Sequence, residues 1–195
     1  MPGARRIFRA MVVVGLTGLV AAVGTYAAFS SPTSNGSNAF AAGTVSISDN
    51  DAGGSLMSLS NAKPGASSTG CIVVTYGGTL DSTVVLYGST TGSLAPYLSL
   101  SVTRGTSSGP FNSCAGFTAD VTNYIGAGPG IIYSGTVSSF PTSYATGLVD
   151  PTAGSPETWT TSEVHAYMFV VSLVNDPAAQ ALSSTASFTW EARNS

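Results

Sequence analysis

Short apolar stretches alternate with polar turns along the chain from residue 43 onward. The stretches are rich in Val, Ile, Leu, Thr and Tyr, which favour strands, and Gly, Ser, Asn, Asp and Pro lie between them. This spacing is typical of an all-β sandwich built from antiparallel strands. It predicts strands over residues 44–48, 71–76, 84–87, 98–103, 166–174 and 185–191.

Two of these stretches also indicate the position of their strands in the fold. Residues 186–191 place Ala186, Phe188 and Trp190 on one face and polar side chains on the other. Such alternation predicts one buried aromatic face and one solvated face. Residues 167–171 are continuously apolar, a pattern that favours a central strand covered on both sides.

The alternation weakens between residues 117 and 150. Segments 122–125 and 138–148 predict one or two short helices in the loops, or an irregular excursion of the chain. Earlier in the sequence, Pro64 and Gly65 predict a tight turn, because proline fixes φ and glycine permits a positive φ.

A cationic and then apolar N-terminus is typical of a secretory signal peptide. Arg5, Arg6 and Arg9 precede an apolar run of 14 residues at 10–23, and small residues offer a cleavage site after Ala27. The alternative is an uncleaved signal anchor, because the uncharged run can be extended to about 20 residues. Glycines and threonines dilute that longer run, which favours cleavage. The sequence therefore predicts a secreted or cell-surface protein with no stable membrane span after cleavage.

The chain divides into three predicted segments. Residues 1–27 form the signal peptide, residues 28–42 a flexible N-terminal arm, and residues 43–195 the β-sandwich domain. The arm is rich in Ser, Asn and Gly, and its apolar residues include Phe29 and Phe40. A segment of this composition cannot hold itself in a packed core.

Charge limits the class of function. Of the 195 residues 8% are charged, with six Lys and Arg against nine Asp and Glu, for a net charge of −3. Half of the basic residues lie in the first ten positions. Because nucleic-acid binding needs clustered Lys and Arg, the sequence predicts no nucleic-acid partner.

Cys71 and Cys114 are the two cysteines of the chain. In an exported protein two cysteines are most simply interpreted as one disulfide. A metal site built on them needs further ligands, and the single histidine, His165, cannot complete it alone.

Two polar patterns suggest enzymatic chemistry. Residues 105–109, GTSSG, match a nucleophile elbow centred on Ser107. An elbow needs a helix directly after it, and Pro110 with no helical periodicity follows instead. Glu163 and His165 lie two residues apart and share a strand face, where they could transfer protons. An exposed pair at a strand edge is the simpler interpretation, so the sequence predicts neither an enzyme nor a cofactor.

Metal chemistry receives little support from the sequence. A zinc peptidase of the usual kind needs two histidines or an equivalent ligand set. Asp49 and Asp51 resemble part of a calcium loop, but Ser60 stands where an EF-hand requires glutamate. A looser calcium site at the two aspartates stays open, with a solvated turn as the alternative.

Several short motifs, in this order along the chain, resemble the TasA/camelysin-like family of secreted proteins. They are GTYAAFS at 24–30, NAFAAGTV at 38–45, KPG at 63–65, TYGGTL at 75–80, YMFVVSL at 167–173 and ASFTWEA at 186–192. The first resembles the junction that SipW-type signal peptidases cut.

This resemblance implies a jelly-roll-like antiparallel β-sandwich and a secreted structural role. Family members form fibres of the biofilm matrix or coat the cell surface, and the N-terminal arm of one subunit completes a sheet of its neighbour. Here it implies an assembly arm with Phe29, Phe40, Val45 and Ile47, and as partners further copies of the chain or a second matrix subunit. Some relatives are labelled metalloproteases, an activity that one histidine does not support.

Two classes of function stay open at this stage. In the first, the chain is a fibre-forming subunit. In the second, it is a monomeric surface module that binds glycan or protein through stacked tyrosines. The tyrosines available for such a surface are Tyr76, Tyr87, Tyr97, Tyr124, Tyr133 and Tyr144.

Overall fold

The computed structural model of the protein describes residues 42–151 and 156–194. Ten strands make up two antiparallel sheets packed face to face, which confirms the predicted all-β sandwich. The strands are β1 (Ile47–Asp49), β2 (Ser67–Tyr76), β3 (Ser82–Gly92), β4 (Leu98–Thr106), β5 (Thr118–Ala119), β6 (Ile131–Thr136), β7 (Leu148–Val149), β8 (Thr158–Trp159), β9 (Val164–Leu173) and β10 (Ser184–Asn194).

The first sheet has the order β1-β2-β9-β4, and both β5 and β6 pair with β4. β9 therefore lies between two long strands, as its continuous apolar run predicts. The second sheet has β3 at its centre. β10 pairs with β3 over its whole length, and the short strands β7 and β8 pair with β3 as well.

The core lies between the two sheets and follows the two-residue period of the strands. Every second residue of β2, β4 and β9 points inward, and β3 supplies the facing apolar side chains. The inner side chains include Ile72, Val74 and Tyr76 of β2, Leu100 and Val102 of β4, Tyr167, Phe169 and Val171 of β9, and Val84 and Leu86 of β3.

The aromatic face predicted for β10 is only half-buried. Phe188 and Trp190 pack against the core, with the ring centroids of Phe169 and Phe188 4.5 Å apart. Ala186 of the same face is exposed. The difference arises because β10 is an edge strand of its sheet, so one side of its inward face has no neighbouring strand.

The segment between 117 and 150 departs from the prediction. No helix forms at 122–125. Residues 131–136 form β6, a strand that the sequence pattern did not predict because serine and glycine interrupt its alternation. The helical content of the described residues is four single 3₁₀ turns: Ala95–Tyr97, Val137–Ser139, Tyr144–Thr146 and Pro177–Ala179. None of these could cross a membrane.

The turn predicted at Pro64 and Gly65 is confirmed. Ala66 N–H donates to the carbonyl of Lys63 at 2.9 Å, and Gly65 has a φ of +79°. A glycine is favoured there because an L side chain rarely adopts this backbone conformation.

Candidate functional site

An arginine continues the apolar inner row of β4. Leu100 and Val102 point into the core, and Arg104, two residues further on, points the same way with only 6% of its side chain exposed. Its neighbour across the sheet is Tyr167 of β9. One end of the space between the sheets is therefore polar rather than apolar.

Four side chains surround the guanidinium of Arg104, and we call the five residues together the Arg104 cluster. Nη1 donates to Asp120 at 2.7 Å, and Nε donates to Asp150 at 3.1 Å. Nη2 donates to Glu157 and lies 2.8 Å from His165 Nε2. The three carboxylates come from two connecting segments, the one after β5 and the one between β7 and β8, so Arg104 holds both segments against β4.

Asp150 is the most enclosed carboxylate of the cluster, with 2% of its surface exposed. It accepts hydrogen bonds from Trp159 Nε1 and from the Tyr167 hydroxyl, each at 2.9 Å. Burial raises the pKa of the Asp150 carboxyl, and the charge of Arg104 with the two hydrogen bonds opposes that rise. Burial likewise raises the pKa of Tyr167 well above its ordinary value, with Asp150 adding to the effect.

Glu163 and His165 are not the exposed pair that the sequence predicts. Their side chains are 18% and 15% exposed, because β9 is an interior strand rather than an edge. His165 Nε2 lies 2.9 Å from Glu163 Oε1 and also contacts Arg104. A protonated Nε2 donates to Glu163, whereas an unprotonated Nε2 accepts from Arg104, so one nitrogen cannot serve both partners at once.

The carboxyl of Glu163 gives a testable dependence of stability on pH. Burial raises its pKa, but hydrogen bonds from His165 and from the Thr160 N–H outweigh burial and leave the pKa below the ordinary value of 4.5. The folded state therefore favours the ionised form of Glu163. Its contribution to the stability of the fold is present above pH 4.5 and is lost as the pH falls through the lowered pKa.

We therefore expect Glu163→Gln to lower the free energy of unfolding at pH 7. The difference from the wild type should shrink as the pH falls below 4.5. Urea unfolding of both proteins between pH 3 and pH 7 measures the difference. Asp81→Asn, which removes an exposed carboxylate, controls for the change in net charge. An equal difference at both ends of this pH range would contradict the expectation.

A groove of about 880 Å³ lies along β10, and no residue of the Arg104 cluster lines it. Leu98, Leu173 and the segment 55–59 line one side, and Phe188 and Trp190 line the other. The strand order leaves the outer edge of β10 without a partner strand among residues 42–151 and 156–194.

Two polar atoms of β10 are buried beside this groove without a hydrogen bond to any other residue that the structure describes. They are Trp190 Nε1 and Ser184 Oγ, and both residues line the groove. Buried polar groups are normally paired, because an unpaired one costs free energy. Because both atoms have almost no accessible surface, a molecule in the groove reaches them only if β10 shifts locally.

The residues predicted for the assembly arm fall into two groups. Phe29 and Phe40 lie outside the described residues. Val45 is exposed and precedes the first strand, whereas Ile47 belongs to β1 and pairs with Tyr76 of β2. Ile47 therefore lies in the sandwich, within the predicted strand over 44–48, and the observed strand comprises the three residues Ile47–Asp49.

Cys71 and Cys114 form the predicted disulfide, with their Cα atoms 5.1 Å apart. The bond joins β2 to the loop that follows β4. Within that loop, Asn112 N–H also donates to the Cys71 carbonyl at 2.9 Å. The loop therefore covers β2 through one covalent bond and one hydrogen bond.

The two other candidate sites from the sequence are turns. Ser107 Oγ accepts a hydrogen bond from Gly109 N–H at 3.2 Å, and no helix follows it in the described loop. Asp49 accepts from the N–H of Asp51, and Asp51 accepts from that of Gly53, at 3.0 and 2.6 Å. Both aspartates thus use a carboxylate oxygen to fix the local backbone.

The tyrosines do not share one surface. Tyr76 is fully buried and hydrogen-bonds Ser82, and Tyr124 donates to Asp120 beside the Arg104 cluster. Tyr87 donates to Glu191, while Tyr133 donates to the Thr136 carbonyl and Tyr144 stacks under Arg193. These partners favour packing over a stacking surface for ligands.

The fold and the cluster define an all-β sandwich that carries a buried ion-pair network. Residues 5–93 match the sequence model of a family described as Camelysin metallo-endopeptidase. The match confirms the predicted resemblance to the TasA/camelysin-like proteins over this segment. No curated protein matches the chain. The matched segment ends directly after β3, so every residue of the Arg104 cluster lies beyond it.

The family description raises the question of a metal ion. Asp150, Glu157 and His165 each offer a ligand atom, and these atoms lie within 4.8 Å of one another. The same three side chains, however, all contact the guanidinium of Arg104. The residues therefore do not fit a metal ion while Arg104 stands among them.

The sequence pattern did not reveal the Arg104 cluster. Its members are spread from residue 104 to residue 165, in strands and in loops without regular alternation. One signal was present, because Arg104 occupies the inward position that follows Leu100 and Val102. A charge at such a position needs a buried partner, and the isolated aspartates of the chain were the available candidates.

Proposed function

We propose that the protein is a secreted structural subunit that forms fibres of an extracellular or biofilm matrix. Assembly occurs by strand donation, in which residues 28–42 of one copy occupy the groove of the next. The observation that carries the proposal is the groove, with a lining of apolar and polar side chains, beside the edge of β10 that has no partner strand among the described residues. A strand edge of this kind is a template for β-strand addition.

The length of the arm suits this groove. The 15 residues of 28–42 span roughly 50 Å when extended, at about 3.3 Å for each residue. The 11 residues of β10 require roughly 36 Å at the same rise. The arm can therefore pair along all of β10 and still leave a short connection between the two copies.

The chemistry of the arm suits the groove as well. Phe29 and Phe40 supply apolar side chains for a lining that includes Leu98 and Leu173. The extended backbone of the arm supplies donors and acceptors for the backbone groups at the edge of β10. The arm has no charged side chain, so the aspartates that line the groove, Asp49, Asp51 and Asp176, do not repel it.

Export precedes assembly in this proposal. Residues 1–27 direct the chain out of the cell and a SipW-type signal peptidase removes them, which exposes the arm. The exported protein then joins further copies of itself or a second matrix subunit. The disulfide between Cys71 and Cys114 agrees with an oxidising compartment.

The proposed role requires no catalysis. Peptidase activity belongs to the description of the matched family, and two observations argue against it here. Ser107 lies in a described loop that no helix follows, unlike the serine of a nucleophile elbow. Asp150, Glu157 and His165, whose side chains could together hold a metal ion, all contact Arg104 instead. The proposed role is that of a building block, which requires no cofactor.

Deletion of residues 28–42 tests the proposal. We expect the chain that starts at residue 28 to form filaments in negative-stain electron micrographs, and the chain that starts at residue 43 to stay a folded monomer. Phe40→Ala is expected to slow filament growth by roughly tenfold or more, since it removes about 1.5–3 kcal/mol of apolar burial, while the matched control Ser34→Ala leaves it unchanged. Filaments of equal yield from the truncated chain would contradict strand donation.

A further inference from the structure

We propose that the guanidinium of Arg104 is the permanent cation of the Arg104 cluster and that it excludes a divalent metal ion from Asp150, Glu157 and His165. Arg104 thus does in this fold what a structural metal does elsewhere, by cross-linking separate segments through one positive centre. This inference concerns the other end of the sandwich and does not depend on strand donation.

The first support is geometric. Two carboxylates and one imidazole with ligand atoms within 4.8 Å form a set that attracts metal ions in proteins. Nε of Arg104 lies 3.1 Å from Asp150, and Nη2 lies 2.8 Å from His165 Nε2 and also bonds Glu157. One planar cation therefore contacts all three members of the set, at the distances of charge-assisted hydrogen bonds.

The second support is the engagement of Asp150. The Tyr167 hydroxyl donates to Oδ1 and Trp159 Nε1 donates to Oδ2, and Arg104 lies against the same carboxylate. A metal ion needs a free lone pair on its ligand. Tyr167 and Trp159 each use one lone pair, and Arg104 Nε lies 3.1 Å from both oxygens, so Arg104 occupies the side of this buried carboxylate that would otherwise be open to a metal ion.

The third support is electrostatic. Arginine stays protonated in proteins, and the charge of Asp150 raises the pKa of Arg104 further despite the opposing effect of burial. A divalent ion among the same ligands would lie in contact with this fixed positive charge, where the buried surroundings screen repulsion poorly. Metal and guanidinium are therefore mutually exclusive occupants.

Arg104 also replaces the mechanical role of a metal. Asp120 lies in the connection between β5 and β6, and Asp150 and Glu157 lie at the two ends of the connection between β7 and β8. All three bond one guanidinium on β4. The five-donor fork of arginine permits this number of simultaneous contacts.

Metal binding by tag-free protein tests the inference directly. We expect equilibrium dialysis of the wild type against Zn²⁺ to show no bound equivalent that depends on the cluster, and Tm to be unchanged by Zn²⁺ or by EDTA. His165→Gln should leave this result unchanged. One equivalent of Zn²⁺ bound by the wild type and lost in His165→Gln or Glu157→Gln would overturn the inference.

Removal of the guanidinium provides the complementary test. Arg104→Ala is expected to gain binding of Co²⁺, seen as visible absorption and a rise in Tm, and the double variant with His165→Gln should lose both. The exposed Arg193→Ala is the matched control and should gain nothing. A folded Arg104→Ala protein that binds no Co²⁺ would overturn the claim that Arg104 is what excludes the metal. If this variant does not fold, the wild type and His165→Gln decide the question.

Discussion

Arg104→Met is expected to lower the free energy of unfolding by about 3–5 kcal/mol, the cost of breaking a buried ion pair on one side only. The variant keeps most of the side-chain volume but leaves Asp150 charged and buried among Trp159 and Tyr167. It also frees Asp120 and Glu157, whose connections then lose their attachment to β4. Urea unfolding at pH 7 measures the loss.

Two further variants show whether the loss arises from the unpaired carboxylate. The double variant of Arg104→Met with Asp150→Asn should recover part of the stability, because it removes the uncompensated charge. Arg193→Met, at an exposed pair with Glu191, should have a much smaller effect. A loss below about 1 kcal/mol for Arg104→Met would place the pair among the weak surface ion pairs and contradict its structural role.

Cys71→Ser is expected to cost about 2–4 kcal/mol without abolishing the fold, as for disulfides that close long loops. The bond joins residues 43 positions apart and constrains the unfolded chain accordingly. In the folded protein it holds the loop after β4 against β2. Denaturant unfolding of the wild type and the variant gives the difference.

Reduction of the wild type provides the control for this prediction. Dithiothreitol should lower the stability of the wild type to that of Cys71→Ser and should leave the variant unchanged. Thiol labelling of the denatured, unreduced wild type should detect no free thiol. Two labelled thiols in that experiment would show that the exported protein lacks the bond.

The sequence predicts the long strands of the sandwich because the order of apolar and polar residues along each strand reflects which side chains are buried. The run at 167–171 indicated a central strand, and β9 lies between β2 and β4. The residues of β6 gave no such signal, since Gly135 and Ser134 interrupt the alternation and pairing with β4 decides their structure. Tertiary context, rather than local propensity, forms that strand.

The candidate sites divide in the same way. The disulfide follows from counting two cysteines in an exported chain, which requires no three-dimensional information. The Arg104 cluster joins residues up to 61 positions apart, as between Arg104 and His165, and no spacing rule covers such a distance. The groove depends on which strand lies at the sheet edge, and strand order is not encoded in the alternation of single strands.

Photo-crosslinking from the arm tests strand donation most directly. A photoreactive phenylalanine analogue at position 40 is placed in chains with normal isotopes, and these are mixed with ¹⁵N-labelled chains before assembly. Mass spectrometry then identifies the linked residues and shows which copy each one belongs to. We expect links between the two isotopes, in residues 55–59 or 184–190 of the groove. Links confined to one copy, or to the opposite end of the sandwich, would contradict assembly through this groove.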